Sequence, residues 1–344
     1  MINKFFFRID LGANYGLGHY SRVKSFINYL NIKNYKIVLD NKSNSSFLIK
    51  EQKNLLYLYR EGSSFKNEID DAKKFIKLTK CKSINSIVVK DSYRLGYIWE
   101  KYISKYCKKN ISIEDNIYQK HFVDFYINHN PRLSKKNKHY LKTLKLNNKK
   151  NCQFLLGCDF ALFNSRFSKK KSVASDFVFY NGGSGNPLVY EKIIKKLSII
   201  TKKKFRIILI VGPFVKNNIF KKIMEIFYNK ENVNIIHQPR NILDIISATK
   251  IFVSPSGISI YESSFLKIPS LLFKMSLNQN LSEEAYETLG HYFFLDKKYL
   301  KFTNQVSNLL LLMIKNKKKL SKLMSNTNLK VKNIKKNYLE KINL

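Results

Sequence analysis

Short apolar runs alternate along this chain with longer amphipathic ones, the pattern of a parallel sheet wound with helices. In the first half, Phe5 to Ile9, Lys36 to Leu39, Leu55 to Tyr59, Ile87 to Lys90, Ile111 to Ile113 and Phe125 to Ile127 read as strands. Between the first two, Val23, Phe26, Ile27 and Leu30 recur at helical spacing and make one apolar face. The second half repeats the habit, with strands over Val178 to Tyr180, Ile207 to Val211, Val233 to Ile236, Ile251 to Val253 and Ser270 to Phe273. A polar, Lys- and Ser-rich stretch from Ser165 to Ser175 separates the halves. It sets the expected domains at residues 1–164 and 176–344. From Ile314 onward Leu and Ile fall at helical spacing among lysines, so the chain ends in helix, and that last helix can return to the first domain. The expected fold class is α/β, with two Rossmann-like domains facing a cleft.

A length of 344 residues suits two ordinary domains, and 44% hydrophobic residues supply two cores. The net charge of +39, from 63 Lys and Arg against 24 Asp and Glu, invites a nucleic-acid reading. No zinc-finger spacing, aromatic RNA-binding signature or continuous basic helix accompanies that charge. The lysines lie in short scattered runs, such as Lys169 to Lys171 and Lys317 to Lys319. The expectation is therefore a solvated surface that attracts anionic substrates, with no nucleic-acid partner. Cys81, Cys107, Cys152 and Cys158 form no C-x-x-C pair and no metal-ligand spacing, as buried thiols of a reducing compartment do. Phe5-Phe6-Phe7 is too short for a signal peptide, and no run approaches the ~20 residues of a membrane span. A cytoplasmic monomer without an integral membrane segment is expected, its lysines able to hold it loosely against anionic lipid.

Three loop-to-helix turns carry the candidate chemistry. Gly16-Leu17-Gly18-His19 follows the first strand and opens the first helix, at the strand end where open α/β sheets bind ligands. Its glycines let backbone approach a ligand. His19 falls in the first helical turn, where the macrodipole disfavours an imidazolium, and a neutral ring can take a proton from water. A capping or core histidine is the alternative. Asn181-Gly182-Gly183-Ser184-Gly185-Asn186-Pro187 follows the strand at Val178, with Asn186 suited to an N-cap and Pro187 to the first helical position. Glycine-rich backbone at a helix start makes an anion cradle. Ser254 to Glu262 follows the strand at Ile251, and Ser259 with Glu262 has the S-x-x-E spacing of a capping box. Glu262 can close that box, or its two oxygens can grip vicinal hydroxyls.

Taken together these segments resemble one family. Phe7-Arg8-Ile9-Asp10 followed by Gly16-Leu17-Gly18-His19-Tyr20-Ser21-Arg22 resembles the opening of the pseudaminic-acid pathway UDP-sugar hydrolases (PseG) and the related spore-coat polysaccharide proteins (SpsG). Asp91-Ser92-Tyr93 with Trp99-Glu100, Ile113-Glu114-Asp115 with His121 and Asp124, and Leu155-Leu156-Gly157 through Phe167 match further segments in order. Gly182-Gly183-Ser184, Tyr261-Glu262, Pro269-Ser270 and Asn278-Gln279 complete the set, over about residues 5 to 295.

The resemblance implies a GT-B-like fold and hydrolysis of UDP-2,4-diacetamido-2,4,6-trideoxy-β-L-altropyranose at its anomeric carbon, releasing UDP. It implies His19 as the base, with Asp10, Tyr93 and Asn278 on the sugar side. It implies Gly16, Gly18, Arg22, Gly182, Gly183, Ser184, Ser256, Gly257, Ile258, Ser259, Glu262 and Gln279 around nucleotide and substrate, with Glu262 on the ribose. No cofactor is implied, and no D-x-D metal motif occurs, so backbone amides and helix starts must meet the diphosphate charge. Two departures fall at the expected phosphate site. Gly185 stands where the family has Asp, and Ser256-Gly257-Ile258-Ser259 replaces its G-G-S-T. The alternative activity is a glycosyltransferase of the same fold, in which His19 deprotonates an acceptor hydroxyl. A basic, non-catalytic binding protein is the third reading.

Overall fold

The computed structural model describes the chain except residues 1–2, 46, 61–62, 82–83, 116–118, 134–137, 147, 150, 168–172, 201–204, 275–282, 297–301, 326, 328 and 343–344. It divides into two compact units. The first comprises residues 1–15, 19–162 and 332–344, and the second Gly16–Gly18 and Phe163–Val331.

The first unit is built on strands β1 (Lys4–Ile9), β2 (Tyr35–Leu39), β3 (Leu55–Tyr57), β4 (Ser86–Asp91), β5 (Lys109–Ile113), β6 (Phe125–Asn128) and β7 (Gln153–Leu156). They form one parallel sheet in the order β3-β2-β1-β4-β5-β6-β7. Its helices are α1 (Gly18–Tyr29), α2 (Glu68–Thr79), α3 (Tyr97–Ile103) and α4 (Lys138–Leu146). Successive side chains of a strand point to opposite faces, so Phe6 packs with Phe75 of α2 and Trp99 of α3 while Phe7 meets Phe26 of α1. Asn67 caps α2 by accepting from the Asp70 amide at 2.9 Å, and Lys80 ends it in the left-handed region at φ 54°. Leu30, expected on the apolar face of α1, lies one residue past the helix end.

The second unit carries β8 (Ser175–Tyr180), α5 (Glu191–Ile200), β9 (Ile207–Val211), α6 (Asn217–Phe227), β10 (Val233–His237), α7 (Ile242–Ser247), β11 (Thr249–Pro255), α8 (Ser259–Leu266), β12 (Ser270–Lys274), α9 (Glu283–Thr288), β13 (Phe293–Asp296), α10 (Phe302–Lys315) and α11 (Lys317–Ser325). Its sheet is parallel in the order β10-β9-β8-β11-β12-β13. Phe177, Phe179, Leu209, Ile251 and Val253 face α5, α6, α10 and α11, while Val178, Ile210 and Phe252 face α7 and α8. The terminal helix α12 (Val331–Lys341) belongs largely to the first unit. There Tyr338 is wholly buried, edge-on to Phe26 and Phe160, and its hydroxyl donates to the Phe160 carbonyl at 2.8 Å.

All eleven expected strands are present, and two more join them. Strand β7 pairs with β6 through only Gln153 to Leu156, and β13 extends the second sheet through Phe293 to Asp296. Both are edge strands of four residues, too short to stand out from neighbouring apolar sequence. In each unit the strand order reverses beside the first strand, between β1 and β4 and between β8 and β11. Such reversals open a crevice at the carboxyl ends of the strands, where ligands of this architecture bind.

Candidate functional site

Strands β1 and β4 end side by side, with Ile9 opposite Asp91. Helix α1 starts just beyond β1, so His19 in its first turn comes to Asp91: Nδ1 lies 2.5 Å from Asp91 Oδ1. Both side chains are buried, His19 with 2% exposure. Arg22, three residues on and so on the same helix face, forks onto Asp91. Its Nε donates to Oδ2 at 2.9 Å and its Nη2 to Oδ1 at 2.5 Å. Its Nη1 donates to Asp115 Oδ1 at 2.6 Å, just beyond β5. The other oxygen of Asp115 accepts from the Tyr93 hydroxyl at 2.6 Å, and the Tyr93 ring stands edge-on to His19 with centroids 4.6 Å apart.

Burial alone would push the Asp91 carboxyl up, but Arg22 and His19 outweigh it and hold the group below its ordinary range. The same balance, struck mainly by Arg22 and then His129 and Tyr93, holds Asp115 down. An ionised Asp91 can only accept, so Nδ1 of His19 carries the hydrogen. Arg22 Nη2, 2.9 Å from Nδ1, is thereby tied to the carboxylate rather than to the ring. The carboxylate fixes ring orientation and tautomer together, leaving Nε2 as the basic nitrogen.

Asp10 is spent within the protein. Its Oδ2 accepts from Ser92 Oγ at 2.8 Å and the Tyr93 amide at 3.0 Å, and its Oδ1 from Arg94 Nε at 3.1 Å and Nη2. The Arg94 guanidinium also bonds Asp40 and lies over the rings of Tyr15 and Phe65, at 5.2 and 5.0 Å. Asp10 thus fixes the turn that presents Tyr93. Arg8 of the same opening motif is fully buried and ties β1 to Asp71 of α2 and to Asp40. The first unit therefore gathers His19, Asp10, Tyr93 and Arg22. Sequence reasoning assigned no role to Asp91, Asp115 or Arg94, although a carboxylate at or just beyond the ends of the consecutive strands β4 and β5 was the available signal.

In the second unit the turn after β8 holds Gly182 at φ 78°, a conformation that favours glycine. Asn186 caps the next segment by accepting from the Leu188 amide at 2.9 Å, and Pro187 opens one 3₁₀ turn before α5. A Cβ on Gly185 would sit 1.9 Å from the Asn181 carbonyl oxygen, so this loop has no room for the Asp of the resembled family. Asn181 spans the turn instead, donating from Nδ2 to the Asn186 carbonyl at 2.8 Å. Gly212, after β9, lets the neighbouring turn approach backbone to backbone. A Cβ there would meet the Gly183 carbonyl at 2.3 Å, and the Phe214 amide donates to that carbonyl at 2.9 Å. Gly16–Gly18 packs in this unit: a Cβ on Gly183 would touch the Leu17 side chain at 2.8 Å, and one on Gly16 would sit 3.5 Å from Ser184 Oγ.

The capping box does not form. Helix α8 begins at Ser259 itself, and its cap position falls on Ile258 with no side-chain bond. Ser259 Oγ instead bonds Ser254 Oγ at 2.7 Å and the Pro255 carbonyl at 3.3 Å, turned back toward the strand. Glu262 is buried at 6% exposure, and burial pushes its carboxyl up to about 7, opposed by a bond from the Asn164 backbone. Ser256, Gly257 and Ile258 make the turn just before it. Asn278 and Gln279 lie outside the described residues.

Elsewhere in the first unit, Glu100, Glu114 and His121 are buried with potential metal-ligand atoms within 4.8 Å of one another. Lys90 already occupies that position. Its Nζ lies 2.5 Å from Glu114 Oε1 and 2.9 Å from Glu100 Oε1, and donates to the Leu95 carbonyl at 2.7 Å. No helix among the described residues is long and apolar enough to cross a membrane.

No protein-family model and no curated protein sequence matches this chain. Solved structures do. Anabaena Alr3699/HepE in complex with UDP and glucose is 11% identical over 98% of this chain and 99% of its own, with a TM-score of 0.63. The pneumococcal O-GlcNAc transferase GtfA in complex with UDP and GlcNAc is 8% identical over 98% of each chain, at 0.60. A glycosyltransferase from Rickettsia africae is 13% identical over 98% of this chain and 97% of its own, at 0.55. These neighbours are glycosyltransferases or hold UDP-sugar components, and in fold this chain matches them as a two-domain α/β protein with the GT-B architecture.

Proposed function

We propose that this chain is a glycosyltransferase that uses a UDP-sugar, with catalysis in the first unit and the nucleotide held by the second. The observation that carries the reading is the buried His19–Asp91 pair at the reversal point of the first sheet. His19 Nε2 takes the proton of an acceptor hydroxyl as that oxygen attacks the anomeric carbon, and the bond to the diphosphate breaks with UDP leaving. Asp91 holds the ring and stabilises the imidazolium that forms, and Arg22 holds Asp91. Tyr93 lines the sugar side. In the second unit Glu262 accepts from the ribose hydroxyls, and the amides of the Gly182–Ser184 and Ser256–Ser259 turns meet the leaving diphosphate. Complexes of HepE and GtfA with UDP support the nucleotide assignment. Asn278 and Gln279 keep the substrate roles that the family resemblance implies.

A second reading is hydrolysis of a UDP-linked amino-deoxy sugar of the pseudaminic-acid type, favoured by the ordered motif resemblance. There the same nitrogen activates water. Incubation with a panel of UDP-sugars, followed by NMR with and without candidate glycan acceptors, separates the two. Acceptor-dependent UDP release supports transfer, and free sugar without acceptor supports hydrolysis. A protein that neither binds UDP nor turns over any UDP-sugar overturns both. In either reaction turnover persists in EDTA, because amides rather than a carboxylate-held cation meet the diphosphate. Activity lost in EDTA and restored by magnesium would contradict that step.

A further inference from the structure

Four helices of the second unit, α5, α6, α10 and α11, cover one face of its sheet and bury Ile193, Leu197, Ile223, Phe227, Leu310 and Leu320 against it. Their outer surface has an unusual composition. The four helices carry ten lysines and only two glutamates. Among those lysines stand large apolar side chains turned to solvent: Ile199 is 82% exposed, Tyr228, just beyond α6, 84%, Leu312 55%, Met224 44% and Leu323 43%. Single exposed hydrophobes are ordinary, but five on one helical layer amid a five-to-one excess of lysine over glutamate are not.

We infer that this lysine-rich helical face is a docking surface for an anionic lipid bilayer. The charge selects an anionic partner, and the leucine, isoleucine and tyrosine side chains select one with an apolar interior. On the stretch from α10 into α11 the two are interleaved, with Lys315, Lys318, Lys319 and Lys322 exposed between Leu312 and Leu323. Lysine reaches the headgroup phosphates while Leu and Tyr enter the headgroup–acyl boundary, as on an interfacial amphipathic helix. A nucleic acid would use the lysines and leave the aliphatic side chains in water, so the bilayer fits more of what is present. The inference is independent of how the nucleotide-sugar is used.

Co-sedimentation of the full chain with vesicles of phosphatidylcholine, alone or with about a third phosphatidylglycerol, tests it. The expected result is at least roughly tenfold tighter partitioning onto the anionic vesicles, weakened as salt rises from 0.1 to 0.5 M. The charge reversal K318E/K319E/K322E removes most of this binding. The pair Ile199→Ser and Leu323→Ser leaves the salt-dependent part and removes what survives in high salt. Thermal melts establish that both variants fold. Equal binding to the two vesicle types, unchanged binding of the charge-reversed variant, or tighter binding to a short single-stranded RNA than to the vesicles would each overturn the inference.

Discussion

The ring of His19 owes its position to a carboxylate 72 positions away, and that carboxylate owes its own to Arg22. His19→Ala removes the base, for which a loss of ~10²–10⁴-fold in turnover is expected. UDP affinity should remain near wild type, because the residues proposed to hold the nucleotide belong to the other unit. Asp91→Asn gives a different result. The neutral amide no longer dictates the Nδ1–H tautomer and leaves the buried Arg22 with one carboxylate fewer, so kcat falls and the melting temperature falls with it. A variant with unchanged kcat would remove Asp91 from catalysis. Glu262 couples function to stability in the opposite sense. Its carboxyl titrates near 7 in the folded chain against an ordinary 4.5, so between those values the native state holds a proton that the unfolded chain has released. Stability contributed below pH 4.5 is therefore lost as pH rises through 7, by on the order of 3 kcal/mol. Glu262→Gln should raise apoprotein stability at pH 8 while weakening UDP roughly tenfold or more, as loss of a charge-assisted acceptor does. Calorimetric titration with UDP and 2′-deoxy-UDP, beside denaturant melts, reads both. Equal UDP affinity in the two proteins would return Glu262 to a packing role. At this scale the strand-to-helix turns that carry His19 and Glu262 were legible in the sequence. Asp91, Asp115 and Arg94 needed the strand order, which a linear reading does not contain.

Among elements, the glycine turns after β8 and β9 make the sharpest case. Gly182 has open space around its Cβ position but a left-handed φ, so Gly182→Ala costs about 1 kcal/mol of backbone strain. Gly185 has an ordinary φ and no space, so any side chain must displace the Asn181 carbonyl. Gly185→Asp would install the residue that the resembled family carries there. It is expected to weaken UDP binding by roughly tenfold rather than improve it, through loss of the Asn181–Asn186 bridge. Improved affinity would show that the bridge is dispensable. The departure from the family motif is thus part of a local solution, one that required coordinates to see. Strands buried on both faces were readable because apolar runs bounded by polar turns have few other uses. The S-x-x-E spacing left a capping box open because spacing cannot tell an N-cap from a first helical residue, and here one position separates the two.

For the molecule as a whole, two buried histidines set the acid limit as Glu262 sets an alkaline one. Burial, reinforced at His129 by Arg22, lowers both His129 and His291 to about 4. The native state therefore resists the protons that the unfolded chain accepts below its ordinary 6.5. Their contribution is whole above that value and lost as pH falls toward 4, by on the order of 3 kcal/mol each. In the Glu262→Gln background, which removes the opposing titration of that carboxyl, urea unfolding midpoints should drop between pH 7 and pH 5, and adding His291→Phe should flatten part of that slope. A midpoint constant over this range would contradict the assignment. The chain terminus offers a second test. Removing residues 331–344 uncovers Phe26 and Phe160, so the first unit should melt earlier while the second keeps its transition. Tyr338→Phe should cost about 1 kcal/mol through the lost bond to the Phe160 carbonyl. The same wrapping of α12 bears on biosynthesis. A ribosome delivers the whole of Phe163–Val331 before the helix that completes the first unit emerges. At about 5–20 residues per second, the nascent protein carries an uncovered aromatic face for on the order of ten to thirty seconds. The inserted unit, nearly continuous in sequence, can close first, and the half made earliest is finished last.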